Sequence, residues 1–313
     1  MSKAAIVGVG LIGRAWANVF ARAGYDVALW DANQQALTGA PALIRQSLQD
    51  LTSHGLVDDP ATAAGHIRVA TSLADAVADA DIVQENGPER LDAKVEIYTE
   101  LDRAARPDTI LASSSSAIVA SRFTEHLEGR ARCLIAHPVN PPHVVPIVEL
   151  CGAPWTDPDV IARARAIYDG VGQVPIEVRK EVDGFILNRM QAVLLAEAFR
   201  LISEGYVTAA DLDKTIKDGL GRRWAFMGPI ETIELNAPAG IADYCERFGE
   251  TLYGLAKEPV TEALFSKTTT DAVAASWGAT PTPEAVQRKS VWRDDRLAAL
   301  DAHLRAAKRP DDV

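Results

Sequence analysis

Through roughly the first 180 residues, strand-like apolar runs alternate with helical text, and no other feature narrows the choice of fold as far. The runs are AAIVGV from Ala4, DVALW from Asp26, IRVAT from Ile67, DIVQE from Asp81, TILAS from Thr109, CLIAH from Cys133, IVELC from Ile147 and VPIEV from Val174. Segments such as 91–105 and 158–168 lie between them and read as helices. Strands that are apolar on both faces need a helical layer on each side, which is the environment of a parallel sheet. The alternation therefore predicts a doubly wound α/β domain with a mostly parallel sheet and right-handed crossovers.

Beyond about residue 180 the text changes. From Asp183 to Glu204 the apolar residues Leu187, Met190, Leu194, Ala198 and Leu201 recur at three- and four-residue spacing, which marks one face of a helix, with Gly205 as its stop. Further helical stretches are expected over 209–217, 238–257 and 292–308, and strand text is nearly absent. The expected organisation is an α/β domain over 1–182 and an all-α domain over 183–313, which agrees with a length of 313 residues. The Pro- and Thr-rich WGATPTPE from Trp277 reads as a loop, and the polar KRPDDV tail as frayed.

The first strand runs into Gly8-x-Gly10-x-x-Gly13, followed by helical text from Leu11 to Ala23. The first glycine permits a tight turn, the second lets backbone approach a pyrophosphate, and the third lets helix and strand pack closely. The helix N-terminus then offers free N–H groups to the phosphates. Asp31, at the end of the next strand, stands where a carboxylate accepts hydrogen bonds from the adenosine ribose hydroxyls. No Arg or Lys lies between Asp31 and Arg45 to take a 2′-phosphate. The expected cofactor is NAD, held in a Rossmann-like N-terminal domain.

Composition limits the partners. A net charge of −11 and a pI near 5.1 argue against nucleic acid or an anionic membrane, although a single Arg can still bind a small anionic substrate. Three widely spaced cysteines give neither a disulfide framework nor a zinc site, and point to a reducing compartment. No signal-peptide pattern and no apolar run of about 20 residues is present, so the cytoplasm is expected.

Three segments are candidates for chemistry. Glu89 and Lys94 open the helix after the fourth strand, at the sheet edge where ligands bind, though composition alone reads them as a solvated helix surface. Four serines, Ser113 to Ser116, leave the fifth strand and serve either as hydroxyl donors or as turn formers. In AHPVNPPHVVPIVEL, His137 ends a strand and Glu149 falls in the next. Alcohol oxidation needs a base for the hydroxyl proton, and a carboxylate that orients an imidazole supplies one; a purely structural His137 is the alternative. His143 competes for that role but sits in the Pro-rich stretch without a carboxylate until Glu149. A metal site is not expected, because His137 and His143 have no third ligand at recognisable spacing.

GVGLIG with Asp31, ENGPER reaching Lys94, LASSSS, HPVNPP with VPIVEL, and DGFILNR together resemble the 3-hydroxyacyl-CoA dehydrogenase superfamily over nearly the whole chain. The resemblance implies that Ser116, His137, Glu149 and Asn188 cooperate in catalysis. It also implies that Leu11, Ile12, Asp31, Glu89 and Lys94 hold the cofactor, and that Asn140 lies at the nicotinamide end. DGLGRRWAFMGPIETIELNAPAG and DYCERFGE look like the λ-crystallin and L-gulonate 3-dehydrogenase branch. That branch implies oxidation of free 3-hydroxy acids, with Arg223 as partner of the substrate carboxylate alongside Ser116 and Asn188, and homodimers formed through the helical domain. Between Arg22 and Arg68 the only Lys or Arg is Arg45, a poor match to a polyanionic CoA. Two alternatives stand beside this reading. One is a 3-hydroxyacyl-CoA dehydrogenase acting on a short-chain thioester, and the other is a non-catalytic, crystallin-like structural protein.

Overall fold

The computed structural model describes residues 2–307; the KRPDDV tail lies outside them. All eight runs form strands: β1 (Lys3–Val7), β2 (Asp26–Trp30), β3 (Ile67–Val69), β4 (Ile82–Glu85), β5 (Ile110–Ser113), β6 (Cys133–Pro138), β7 (Ile147–Gly152) and β8 (Val174–Glu177). They join in one sheet of order β3-β2-β1-β4-β5-β6-β7-β8. Every pairing is parallel except β6 with β7, which is antiparallel and sets His137 directly opposite Glu149.

Alternation along each strand divides the core between the two faces. Ile6, Ile82, Ala112, Leu134 and Val148 pack on one face with Trp16, Phe20 and Tyr168. Val7, Val83, Leu111, Ile135 and Cys151 pack on the other with Tyr98 and Phe123. Each fully buried Val, Leu, Ile or Phe side chain contributes on the order of 1.5–3 kcal/mol, which makes this two-sided burial the main source of the domain's stability. The helix Gln34–Thr52 has no counterpart in the sequence reading. It starts under the Asn33 cap and buries Leu37, Ala40, Ile44, Leu48 and Leu51 in spite of Pro41 within it. Here the apolar stripe outweighs the break that Gly39 and Pro41 suggest.

The chain divides into two compact units. One holds the described residues up to Asn188 together with those from Arg288 onward, and the other is Arg189–Gln287. This differs from the single break expected at residue 182. The segment 183–188 stays with the sheet because Phe185 is wholly buried in its core, and the helix Pro283–Ala306 returns Ala298 to the opposite face. WGATPTPE is only partly a loop, since Trp277 closes the helix Lys267–Trp277 and Pro283 opens the next.

Arg189–Gln287 contains no strand among the described residues. Most of the helix Leu187–Ser203 lies in it, with Ala209–Lys214 continued by a π-helical turn over Thr215–Leu220, then Pro229–Glu234, Gly240–Ala256 and Lys267–Trp277. The helix Gly240–Ala256 buries none of its residues, and Met190, Leu194, Leu252 and Tyr253 are exposed. The periodic stripe of Leu187–Ser203 thus forms a helix face in which Ala198 is buried and Leu187 and Leu201 are half-buried, while Met190 and Leu194 stay uncovered by this chain.

Candidate active site

The strand order reverses between β1 and β4, which opens a crevice at their carboxyl ends, where ligands bind in such sheets. Gly8 follows β1 with φ +89°, and a Cβ there would lie 2.8 Å from the backbone of Asn86, beyond the end of β4. A Cβ on Gly13 would lie 1.8 Å from the Gly8 carbonyl oxygen, so the helix Leu11–Arg22 can seat only on a glycine. Gly10 differs, since a Cβ there would meet nothing within 4 Å. Packing does not require this glycine, whereas close approach by a phosphate does. Leu11 is exposed beside it, and Ile12 packs onto the core.

Asp31 is oriented by two backbone donors, since Val9 N–H donates to Oδ2 at 2.8 Å and Asn33 N–H to Oδ1 at 2.8 Å. Its remaining lone pairs can accept from a diol. The open glycine and the held carboxylate together fit an ADP-ribose moiety.

Each of the four serines has a different place. Ser113 Oγ donates to Glu85 at 2.7 Å. Ser114 Oγ accepts from Trp16 Nε1 and Gln84 Nε2 and donates to Asn86 Oδ1. Ser115 Oγ donates to Glu89 Oε1 at 2.6 Å and accepts from the Ile118 N–H at 2.9 Å. Of these four serines, only Ser116 has a hydroxyl without a partner among the described residues, while its backbone is fastened on both sides: its N–H donates to Glu89 and its carbonyl accepts from Asn188 Nδ2 at 3.0 Å. The turn-forming reading suits Ser113 and Ser115, whose hydroxyls accept from the Ser115 and Ile118 N–H groups, Ser114 ties distant segments together, and the free hydroxyl falls on Ser116.

Glu89 Oε1 gathers the Ser115 hydroxyl and the N–H groups of Ser116, Ala117 and Ile118. Partial burial pushes its carboxyl up, but these hydrogen bonds, with the Lys94 charge, outweigh it and leave it below the ordinary carboxylate range. Lys94 is not a solvated surface residue. It is 1% exposed, and its Nζ lies 2.8 Å from both oxygens of Glu85. Glu85, an acid closing the wholly buried strand β4, is absent from the residues the sequence singled out, though its charge within IVQE is a visible signal.

His137 and Glu149 are 5% and 1% exposed, and Nδ1 meets Glu149 Oε2 at 2.8 Å. Against an ionised carboxylate, Nδ1 is the donor, so Nε2 carries the basic lone pair. Glu149 Oε1 accepts from the N–H groups of Ile186 and Leu187 at 2.9 and 3.0 Å, which leaves the carboxylate fully engaged. Phe185 reaches this arrangement through a left-handed backbone, φ +50°, and its ring lies 5.3 Å from the imidazole. Nothing in the sequence marks that conformation at a phenylalanine.

His143 is no competitor, because burial, aided by the Arg22 charge, pushes its imidazole down to about 4. Asn140 is exposed after β6, joined to Pro141 by a cis peptide bond. The structure thus brings His137 to Glu149 and Ser116 to Asn188. Arg223 belongs to Arg189–Gln287, where it is exposed; its carbonyl accepts from the Phe226 and Met227 N–H groups, and its guanidinium has no partner among the described residues.

Comparison with known proteins agrees with this geometry. The pattern of the 3-hydroxyacyl-CoA dehydrogenase NAD-binding domain matches residues 3–182, and that of the 3-hydroxyacyl-CoA dehydrogenase C-terminal domain matches 184–275. Lambda-crystallin of Oryctolagus cuniculus is 39% identical, with 97% of each chain covered. L-carnitine dehydrogenase of Pseudomonas aeruginosa is 34% identical over 97% of this chain and 94% of its own. The crystal structure of 5-formyl-3-hydroxy-2-methylpyridine 4-carboxylic acid 5-dehydrogenase, titled an NAD+-dependent dismutase, superposes with a TM-score of 0.84 at 27% identity, covering 98% of this chain and all of that one. The cofactor is NAD, and the chemistry is oxidation or reduction at a CH–OH carbon.

Proposed function

We propose that this chain, which belongs to the 3-hydroxyacyl-CoA dehydrogenase family, oxidises the 3-hydroxyl of a small free 3-hydroxy acid, L-gulonate or an acid like it, to the 3-keto acid. The observation that carries the reading is the buried His137–Glu149 pair at 2.8 Å. NAD, when bound, supplies the hydride acceptor. His137 Nε2 takes the hydroxyl proton, and Glu149 holds the ring in the tautomer that leaves Nε2 free and stabilises the imidazolium that forms. General-base catalysis of this kind contributes on the order of 10²–10⁴-fold. The Ser116 hydroxyl and the Asn188 amide hold substrate oxygens, and Arg223 pairs with the carboxylate. Gly8, Gly10, Leu11, Ile12, Gly13, Asp31, Glu89 and Lys94 hold the cofactor, with Asn140 at its nicotinamide end.

A free acid is favoured over a CoA thioester by the lack of basic residues between Arg22 and Arg68 other than Arg45. The name of the Pseudomonas relative, an L-carnitine dehydrogenase, points the same way, since carnitine is a 3-hydroxy acid with a free carboxylate. The test is NADH formation over a panel of 3-hydroxy acids and their CoA thioesters. A higher kcat/KM for 3-hydroxybutyryl-CoA than for every free acid refutes the substrate assignment, and NAD binding without turnover on any compound refutes the catalytic one.

Two further parts of the reading concern assembly and location. A second copy of the chain covers the apolar residues left exposed in Arg189–Gln287, among them Met190, Leu194, Leu252 and Tyr253. Light scattering at micromolar concentration gives twice the chain mass if this is right and the single mass if it is wrong. The three free thiols suit the cytoplasm, and no helix among the described residues is long and apolar enough to cross a membrane.

A further inference from the structure

Glu85 has no place in the reaction described above, yet it is wholly buried at the carboxyl end of the strand that forms one wall of the crevice. Its two oxygens meet four donor contacts. Lys94 Nζ lies 2.8 Å from each oxygen, Ser113 Oγ donates to Oε2 at 2.7 Å, and the Gly87 N–H donates to Oε1 through a short bond. Lys94 in turn donates to the Gly87 carbonyl at 3.3 Å. The ion pair therefore holds Gly87 by both its N–H and its carbonyl, and so fixes two consecutive peptide units. Gly87 must be a glycine for this, since a Cβ there would lie 2.8 Å from Glu85 Oε1.

The gripped segment has two functional neighbours. On one side, the backbone of Asn86 and Gly87 is what Gly8 faces, with a Cβ-equivalent distance of 2.8 Å to the Asn86 carbonyl group. On the other, Glu89 in the same loop holds the N–H of Ser116. A buried ion pair is a weak device for stability, because desolvation consumes most of its Coulombic gain; what it secures is a single geometry. Here that geometry is the position of residues 86–89.

We propose that Glu85 is a positioning residue, which through Gly87, Lys94 and Ser113 fixes the Asn86–Glu89 loop as the nicotinamide-side wall of the cofactor crevice and sets the backbone of Ser116. The proposal rests on NAD binding at Gly8–Gly13 and Asp31. Only its link to Ser116 depends on the catalytic reading above. The ADP-ribose half of the cofactor is held chiefly by the N-terminus of the helix Leu11–Arg22 and by Asp31, on the β2 side of β1. The Asn86–Glu89 loop instead follows β4 on the other side and meets the glycine turn only at Gly8. Loss of the grip therefore weakens the full dinucleotide more than the half that lacks nicotinamide.

The double variant Glu85→Gln with Lys94→Met removes the grip without leaving a lone buried charge, and Glu85→Gln alone, which keeps Lys94, is measured beside it. Dissociation constants for NADH, by fluorescence titration, and for ADP-ribose, by calorimetry, are compared with those of the parent chain. The expected result is a melting temperature close to the parent's, ADP-ribose affinity within about twofold, and a ratio of NADH to ADP-ribose dissociation constants raised at least about fivefold. A smaller rise in the ratio overturns the proposal, whether both ligands weaken together, as a merely structural role predicts, or neither does. The rise must appear in both variants, since a rise confined to the double variant is a direct contact of Lys94 with the cofactor and overturns the proposal. If either variant does not fold, Ser113→Ala takes one donor from Glu85 and is read by the same ratio, where no rise overturns the proposal. Turnover plays no part in the measurement. A parent chain inactive on every hydroxy acid refutes the substrate reading alone.

Discussion

Replacing Glu149 by Gln separates the orientation of the imidazole from the packing around it, because the side chain keeps its size and loses only one acceptor. In the parent chain, Oε2 receives His137 Nδ1–H, and Oε1 receives the Ile186 and Leu187 N–H groups. A glutamine can turn either way. With its oxygen toward His137, its NH₂ faces two buried N–H groups and leaves both unsatisfied, at a cost of about 1–3 kcal/mol each. With its oxygen toward the two N–H groups, its NH₂ faces Nδ1, and the cost is only a change of imidazole tautomer. The second arrangement wins. The proton then resides on Nε2, the atom that must act as base. The variant is expected to keep NADH affinity within about twofold and to melt near the parent. Its kcat falls by about 10²–10⁴, or roughly 3–5.5 kcal/mol of transition-state stabilisation. The assay is initial-rate NADH formation at saturating substrate and NAD, alongside a melting curve. A kcat within about threefold of the parent would refute the reasoning, and so would a loss of turnover that merely follows a loss of fold.

Further outcomes follow from the same geometry. Gly10→Ala is expected to leave the melting temperature unchanged, since nothing lies within 4 Å of the new Cβ, while weakening NADH at least about tenfold by filling the space a phosphate needs; Gly13→Ala, 1.8 Å from the Gly8 carbonyl, should lose the folded domain, and equal melting curves for the two would contradict the assignment. Ser116→Ala should lower kcat/KM about tenfold or more at constant melting temperature, while Ser113→Ala, which takes a hydrogen bond from buried Glu85, should lower the melting temperature by several degrees; a reversed pattern in parallel assays would count against Ser116. His143 is held neutral by burial, with its folded value near 4 below the ordinary 6.5, so protonation favours the unfolded chain and stability is lost as pH falls from about 6.5 toward 4. His143→Gln should flatten that fall, which is on the order of 3 kcal/mol, and an unchanged pH–melting profile would exclude the effect.

The fold was largely legible because a covered parallel sheet leaves a strong mark. The eight segments rich in apolar residues are each a strand in the sheet, even where the run is broken by a charge, as by Arg68 in the short, largely exposed β3. The helices were legible where their apolar spacing was regular, as from Leu187, and not where Gly39 and Pro41 interrupt it. Within the site, His137 and Glu149 were paired from their places on adjacent strands, and the antiparallel register sets them opposite each other. Composition alone reads Lys94 as solvated, because a lysine looks so until the carboxylate beneath it is seen.

By itself, the amino-acid order determined the sheet, the glycine turn, Asp31 and the His–Glu pair, since each rests on local chemistry or on periodicity that neighbours in sequence express. Only the tertiary structure decided which of four adjacent serines keeps a free hydroxyl, why Gly10 faces open space while Gly13 does not, and what Glu85 does. Those answers depend on atoms brought together from strands and loops far apart in the chain. Hydrogen-bond satisfaction and steric fit are properties of that meeting, and no single segment carries them.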